Sequence, residues 1–320
     1  MGHRSESRHA GGENEEHDAH GNEPLGLGGA DTSTYPFQRG SPNSACHTRW
    51  TDLNHGAAGI GPSIAMSTHV SATAAPVALV RATEASLPAG ERLFEDPFAH
   101  LFLGAALDTA VVDRFLQVPF MRESIRLRTR YLDDVVRDAL ADGIAQVVLL
   151  GAGFDCRGLR MPELARPDVR VLEVDFAEQL VHKRERLMSA GIALPPTIRH
   201  VACDFTDDRF ATTLAPALES AGFCANEGAL VLWEGVIGYL DDAVIDRTLA
   251  MIARPLARPC RVAFNYTLGR FTPDWIAQRL RATGLEVRDD VALDVVHRRL
   301  LPGEPPPGGD VFRVCTAQVG

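Results

Sequence analysis

Three features of the sequence predict an α/β fold built on a doubly wound, mostly parallel sheet. Short apolar runs at 147–150, 169–174, 198–203, 229–233 and 261–265 alternate with segments of helical length. Such alternation is the pattern of a parallel sheet with helices on both faces. The first run stops at Gly151-Ala152-Gly153-Phe154-Asp155, and a strand ending in a glycine turn is how open α/β sheets build a ligand crevice at their carboxyl ends. The next strands end at Asp175, Asp204 and Glu234, which gives the crevice an acidic rim. Such a rim suits a cationic ligand, or one rich in hydroxyls and amines. It suits a bare polyphosphate poorly, because like charges repel.

The elements follow in order. Residues 1–75 are rich in Gly, His, Ser, Asn and Glu and lack apolar periodicity; such sequence does not bury enough surface to offset ordering entropy. They are expected to be a disordered tail, or to lie upstream of a true start at Met66. The irregular spacing of His3, His9, His17, His20, His47, His55 and His69 fits a tail better than a metal site. A helical cap is expected over 76–145. It opens with a short helix at 77–85. Val112, Phe115, Met121, Ile125, Leu132, Val135, Val136 and Leu140 then fall near helical spacing, and Pro119 splits that stretch in two. Inside it, Arg126-Leu127-Arg128-Thr129-Arg130-Tyr131-Leu132-Asp133-Asp134 reads by spacing as a solvated helix face with ion pairs. The alternative is an arginine aimed at a ligand carboxylate.

The sheet part is expected over 146–320. A helix at 176–190 is stopped by Gly191, and another spans 210–221. A third runs over 241–253 with Asp241 or Asp242 as its cap. Thr272 and Pro273 open a helix that reaches residue 282 and stops at Gly284. Closing strands are expected at 285–287 and 312–317, with a Pro/Gly-rich loop at 302–310.

Composition narrows the function. The chain has 320 residues, 45% of them apolar and 23% charged, enough for a substantial core. A formal net charge of −10 without a basic patch argues against nucleic acid or a membrane surface as partner. There is no apolar run of membrane-spanning length and no signal-peptide core at the start. Six cysteines without a C-x-x-C pair point away from structural zinc, so no metal is expected, and they fit a reducing cytoplasm. Cys156, in the glycine turn, lacks a histidine partner nearby in sequence and reads as structural rather than as a nucleophile.

The glycine turn lacks the third glycine of a dinucleotide fingerprint, since Cys156 stands there. The acid expected about 20 residues on is present as Glu173 or Asp175, suited to ribose hydroxyls. No P-loop occurs, which excludes that route to ATP or GTP. The ligand these signals leave is a nucleoside carrying an amino acid and a positive centre, S-adenosylmethionine (SAM).

Leu150-Gly151-Ala152-Gly153-Phe154-Asp155, Glu173-Val174-Asp175-Phe176, Asp204-Phe205 and Trp233-Glu234-Gly235-Val236-Ile237-Gly238-Tyr239-Leu240 also resemble, in order and spacing, the motifs of the leucine carboxyl methyltransferase-like family. The likeness is to its bacterial branch of SAM-dependent O-methyltransferases in particular. Asp96-Pro97 and Arg128-Thr129-Arg130 are similar to that branch's amino-terminal motifs. The resemblance covers roughly residues 82–285. It implies a class I, Rossmann-like methyltransferase fold behind an N-terminal helical cap. Gly151 would line the methionine part of SAM, with Gly153 and Asp155 in the same turn. Asp175 would hold the ribose hydroxyls, and Asp204 and Phe205 would flank the adenine. Glu234 would lie near the methionyl amine. Arg130, with Arg128 as second choice, would pair with the methionyl carboxylate. The substrate-reading part of the family is variable, so the resemblance implies no particular acceptor.

Other readings stand beside these roles. Asp155, Asp204 and Asp241 also suit plain helix caps. Asp133-Asp134 reads as a solvated or helix-pairing couple, His182 and His200 as structural, and Phe154 and Tyr239 as pocket wall. No catalytic Ser/His/Asp or Cys/His set is visible, and no catalytic residue is assigned. A carboxylate nucleophile, with a reference pKa of about 4, is ionised at neutral pH without a base, whereas an alcohol or phenol usually needs one. The expectation is therefore O-methylation of a small-molecule acid or acidic hydroxyl. An NAD-dependent oxidoreductase on the same sheet and a non-catalytic SAM-binding protein are the alternatives.

Overall fold

The computed structural model describes residues 74–103, 109–205, 207, 209–253 and 257–319. The expectations for residues 1–73, including the seven histidines, Met66 and Cys46, lie outside the described residues. Helices α1 (Ala74–Glu84), α2 (Thr109–Leu116) and α3 (Met121–Ala141) precede the sheet. The sheet's strands are β1 (Gln146–Leu150), β2 (Arg170–Asp175), β3 (Ile198–Ala202), β4 (Gly228–Trp233), β5 (Ala257–Thr267), β6 (Leu285–Ala292) and β7 (Phe312–Val319). They lie in the order β3-β2-β1-β4-β5-β7-β6. Pairing is parallel from β3 to β5, and β7 runs antiparallel between β5 and β6. Helices α4 (Arg157–Arg160), α5 (Ala177–Ser189), α6 (Phe210–Ser220), α7 (Asp242–Ala253), α8 (Pro273–Ala282) and α9 (Leu293–Leu300) fill the connections.

The period of two along each strand explains the layering. Val148, Leu150, Val231, Trp233, Val262 and Phe264 pack with Phe210, Leu214, Ile245, Leu249, Ile276 and Leu280, so α6, α7 and α8 cover that face. Val147, Leu149, Leu230, Leu232 and Ala263 pack with Leu132, Val136 and Ala139 of α3 on the other. With both faces covered, the central strands are continuous apolar runs.

The break at Pro119 occurs as its ring chemistry requires, with α2 ending at Leu116 and α3 starting at Met121. Phe120 takes a left-handed conformation, φ 64°, and packs its ring against Gly309, where a Cβ would stand 2.7 Å from Phe120 Cζ. From there α3 buries Met121, Ile125, Arg128, Leu132, Val136 and Leu140, a stripe at three- and four-residue steps. Glu84 of α1 ties that helix to α3 by accepting from Arg126 Nε at 2.7 Å.

Three elements depart from expectation. β5 is 11 residues long, because it begins at Ala257, where it already pairs with β4, and Tyr266 and Thr267 continue the pairing with β7. β6 runs on to Ala292 through the polar Arg288-Asp289-Asp290, which an edge strand tolerates because one flank meets water. α9 fills a stretch without a sequence assignment, burying Leu293, Val296 and His297. Among the described residues, no helix is long and apolar enough to cross a membrane.

Candidate active site

The strand order reverses between β1 and β4, each of which neighbours a strand on its other side. In open α/β sheets that switch point, at the carboxyl ends, is where ligands bind. Gly151 and Gly153 turn the chain there with φ 70° and 49°. A Cβ on Gly151 would lie 2.4 Å from Val236 Cγ2, so the turn sits directly against the chain leaving β4. The Gly151 N–H donates to the Val174 carbonyl at 2.8 Å, which anchors the turn to β2.

Asp175, at the end of β2, is buried. Its Oδ2 accepts from the Gly153 N–H at 2.6 Å and its Oδ1 from the Phe176 N–H at 2.7 Å. Burial pushes this carboxyl above the ordinary aspartate value, against the pull of those two N–H groups. The result is a fixed acceptor whose remaining lone pairs suit a pair of hydroxyls. Asp204 is exposed at the end of β3. Phe205 is buried, its ring turned inward to Phe210 at 5.3 Å between centroids. Asp204 is therefore open to a ligand at this end, whereas the Phe205 ring faces the core.

The centre of the crevice is a buried charge cluster. Glu234 Oε1 accepts from Arg128 Nε at 2.9 Å and lies 3.5 Å from Arg81 Nη2, while Oε2 accepts from Arg157 Nη1 at 2.7 Å. Burial alone would raise the Glu234 carboxyl; Arg157, Arg81 and Arg128 together hold it well below the ordinary range. Arg157 Nε also donates to Asp133 at 2.7 Å, and Arg160 grips both oxygens of Asp133 at 2.7 Å. A cavity of about 30 Å³ between Arg81, Gly151, Asp155 and Glu234 has about the volume of one water molecule.

The structure separates the two arginines of the Arg-Thr-Arg motif. Two residues are about 200° apart on a helix, so they face opposite ways. Arg128 lies in the buried stripe of α3 and reaches Glu234. Arg130 does not enter the crevice: it pairs with Asp134 at 3.0 Å, donates to the Leu93 carbonyl, and keeps 34% of its side chain exposed. The preference for Arg130 over Arg128 is thus corrected by the helical phase. Asp133 and Asp134 divide in the same way. Asp133 is fully buried and accepts from Arg157 and Arg160 of α4, so it pairs helices rather than lying solvated, and Asp134 is partly exposed.

Asp155 lines the cavity, and its Oδ1 accepts from the Arg157 N–H at 2.8 Å at the start of α4. Cys156 is wholly buried, and burial pushes its thiol far up, which removes it as a nucleophile. Phe154 belongs to the core rather than a pocket wall, stacked on Phe102 at 4.5 Å; Tyr239 is 56% exposed. His200 faces Glu173, at 3.1 Å, and His182 packs against Phe154.

Sequence reasoning missed Arg81, Arg157 and Lys183. Lys183 is fully buried on α5, where it pairs with Glu173 at 2.7 Å and donates to the Asp155 carbonyl beneath the glycine turn. A lysine or arginine in phase with an apolar helical stripe was the available signal. Arg81 lies three residues after buried Ala78, and Lys183 four before buried Leu187.

Comparison with known proteins gives this geometry a family. Residues 74–253 match the family model for leucine carboxyl methyltransferase. A protein of Mycobacterium tuberculosis, provisionally named an S-adenosyl-L-methionine-dependent methyltransferase, is 35% identical over 221 residues, 64% of this chain and 68% of its own length. A Streptomyces coelicolor protein of the same provisional name is 36% identical over 209 residues, 62% of this chain and 69% of its own. The crystal structure of a DUF574 family protein from Streptomyces avermitilis shares the fold, with TM-score 0.51 at 15% identity over 78% of this chain and 97% of that one. The cofactor is accordingly SAM, not the dinucleotide held open from the sequence. The donor set fits it: a buried carboxylate beside the glycine turn for hydroxyls, and Glu234 among guanidiniums for an ammonium and a carboxylate. The chain belongs to the leucine carboxyl methyltransferase family, and its activity is that of a SAM-dependent methyltransferase.

Proposed function

We propose that the protein methylates an oxygen nucleophile, a carboxylate or an acidic hydroxyl of a small molecule. When bound, SAM supplies a methyl group on a sulfonium, ready for in-line displacement. In this reading Asp175 holds the ribose hydroxyls and Asp204 lies beside the adenine. Glu234 receives the methionyl ammonium, and Arg128 and Arg81 receive the methionyl carboxylate. A zwitterionic ligand would thus exchange into an existing arrangement of opposite charges, and Glu234 would keep Arg157 throughout.

One observation supports an oxygen acid as acceptor. Glu234 and Asp155, the two acids that line the cavity, are held by arginines with their carboxyls below the ordinary range. Neither is free to take a proton from a neutral acceptor. A nucleophile that arrives ionised needs no such group, and the chain then contributes alignment and exclusion of water. The family's name, for a carboxyl acceptor, points the same way.

Incubation with methyl-labelled SAM and a panel of small carboxylic acids and phenols tests this. The expected product carries the label on oxygen: a methyl ester, which releases labelled methanol in alkali, or an aryl methyl ether, which survives alkali. Label that survives alkali on an amine or a carbon atom would overturn the proposal.

A further inference from the structure

The end of β5 carries polar groups that the fold does not use. Trp233 of β4 pairs with Phe264 of β5, so Asn265 stands beside Glu234 at the carboxyl edge. Its Oδ1 accepts from the Gly235 N–H at 2.7 Å. Because Gly235 is the donor there, the oxygen must face it, and the amide NH₂ lies on the other branch. That NH₂ has no hydrogen-bond partner among the described residues, and the side chain is half-buried.

Two residues on, Thr267 is buried, and its hydroxyl also has no partner among the described residues. Alternation puts both on the face of Ala263, which packs against α3. They follow one another at about 7 Å along the strand. Across β7 they face Val314 and Phe312, neither of which has a side-chain acceptor. Arg128 approaches the same turn from α3, its Nη2 standing 3.4 Å from where a Cβ on Gly235 would lie. Neither atom is sealed off from water, so both are open, at the edge of the ligand crevice, to an acceptor atom from outside the chain.

We infer that the Asn265 amide and the Thr267 hydroxyl receive the oxyanion of the methyl acceptor and select for an acid. This rests on the reading that the acceptor is an oxygen acid. Asn265 then has two jobs: its oxygen holds Gly235 in place, and its nitrogen holds the substrate.

Asn265→Asp separates them, since it keeps an oxygen for Gly235 and replaces the NH₂ by a second carboxylate oxygen. The full chain, saturated with S-adenosylhomocysteine (SAH), is titrated with benzoate and with the cationic probe benzylamine. The wild type is expected to bind benzoate in preference to benzylamine. Asn265→Asp is expected to keep SAH affinity within about threefold, lose benzoate affinity about tenfold or more, and gain affinity for benzylamine. Thr267→Val, which only removes the hydroxyl, is expected to weaken benzoate about three- to tenfold with SAH affinity unchanged. A purely structural asparagine would not exchange charge preference. Unchanged benzoate binding in both variants would overturn the inference and leave the acid-acceptor reading standing. A wild-type complex that prefers benzylamine, or takes neither probe, would overturn that reading and the inference with it.

Discussion

Arg128 and Glu234 meet across the switch point of the sheet, Nε to Oε1 at 2.9 Å, with side chains 9% and 7% exposed. Helix α3 and the chain leaving β4 are thereby joined at the switch point. Arg128 is the guanidinium that α3 delivers to the crevice, and Arg130, on the opposite side of the helix, is not. Arg128→Met is expected to weaken SAH binding about tenfold or more, the scale for losing a charged hydrogen bond in a buried site. Arg130→Met, at a half-exposed pair away from the crevice, is expected to change it less than about threefold. Calorimetric titration of both variants checks this, and the reverse order would return the role to Arg130.

Asp175 accepts two backbone N–H groups and has lone pairs to spare. Asp175→Asn keeps the size but sets an amide NH₂ against one of those donors and a ribose hydroxyl. SAH affinity is expected to fall at least about tenfold while the far-UV spectrum and cooperative melting persist. A variant that folds and binds SAH normally would show that the ribose lies elsewhere.

Acid should weaken the protein through Glu234. Its folded pKa lies below the unfolded value of about 4.3. The stability it contributes is therefore present at neutral pH and is lost as pH falls through the folded value. Asp175, shifted upward by burial, acts in the opposite sense, disfavouring the fold as pH rises through its own value. Glu234→Gln is expected to lower stability at pH 7 by about 3–5 kcal/mol, because Arg128 and Arg157 lose a buried partner. It should also flatten the decline below pH 4.3. Urea melts of both proteins across the acid range would check the two effects, and parallel curves would contradict them.

Gly151 combines φ 70° with a Cβ position 2.4 Å from Val236 Cγ2. Gly151→Ala is expected to cost about 1–3 kcal/mol from the left-handed backbone and the clash. Adding Val236→Ala should recover the steric part and leave the backbone part. Full recovery in the double variant would mean that the backbone carries no strain.

The sheet was legible in the sequence because its central strands are buried on both faces, which writes them as uninterrupted runs such as Val147-Val148-Leu149-Leu150. The crevice followed from where those runs stop, at Gly151, Asp175 and Glu234. The edge was harder: β6 carries Glu286, Arg288, Asp289 and Asp290, and a strand with a solvated flank has little apolar signal. The choice between Arg128 and Arg130 was available in principle, since Ile125 and Leu132 lie three and four residues either side of Arg128, the phase of the buried face. The rest of the charge cluster was not. Arg157 meets Asp133 and Glu234 from 24 and 77 residues away, and no local pattern encodes such partners. A motif position does not reveal which way a ring turns either, and the Phe205 ring turns toward Phe210.

The account depends most on one site at the carboxyl ends of β1, β2 and β4 holding the cofactor. Calorimetric titration of the wild type, Asp175→Asn and Arg128→Met with SAM, SAH and NAD tests it most directly. The account predicts saturable one-to-one binding of both adenosyl ligands by the wild type, no binding of NAD, and at least about tenfold weaker SAH binding in each variant. Binding of NAD alone, or SAH affinity unchanged in both variants, would contradict it.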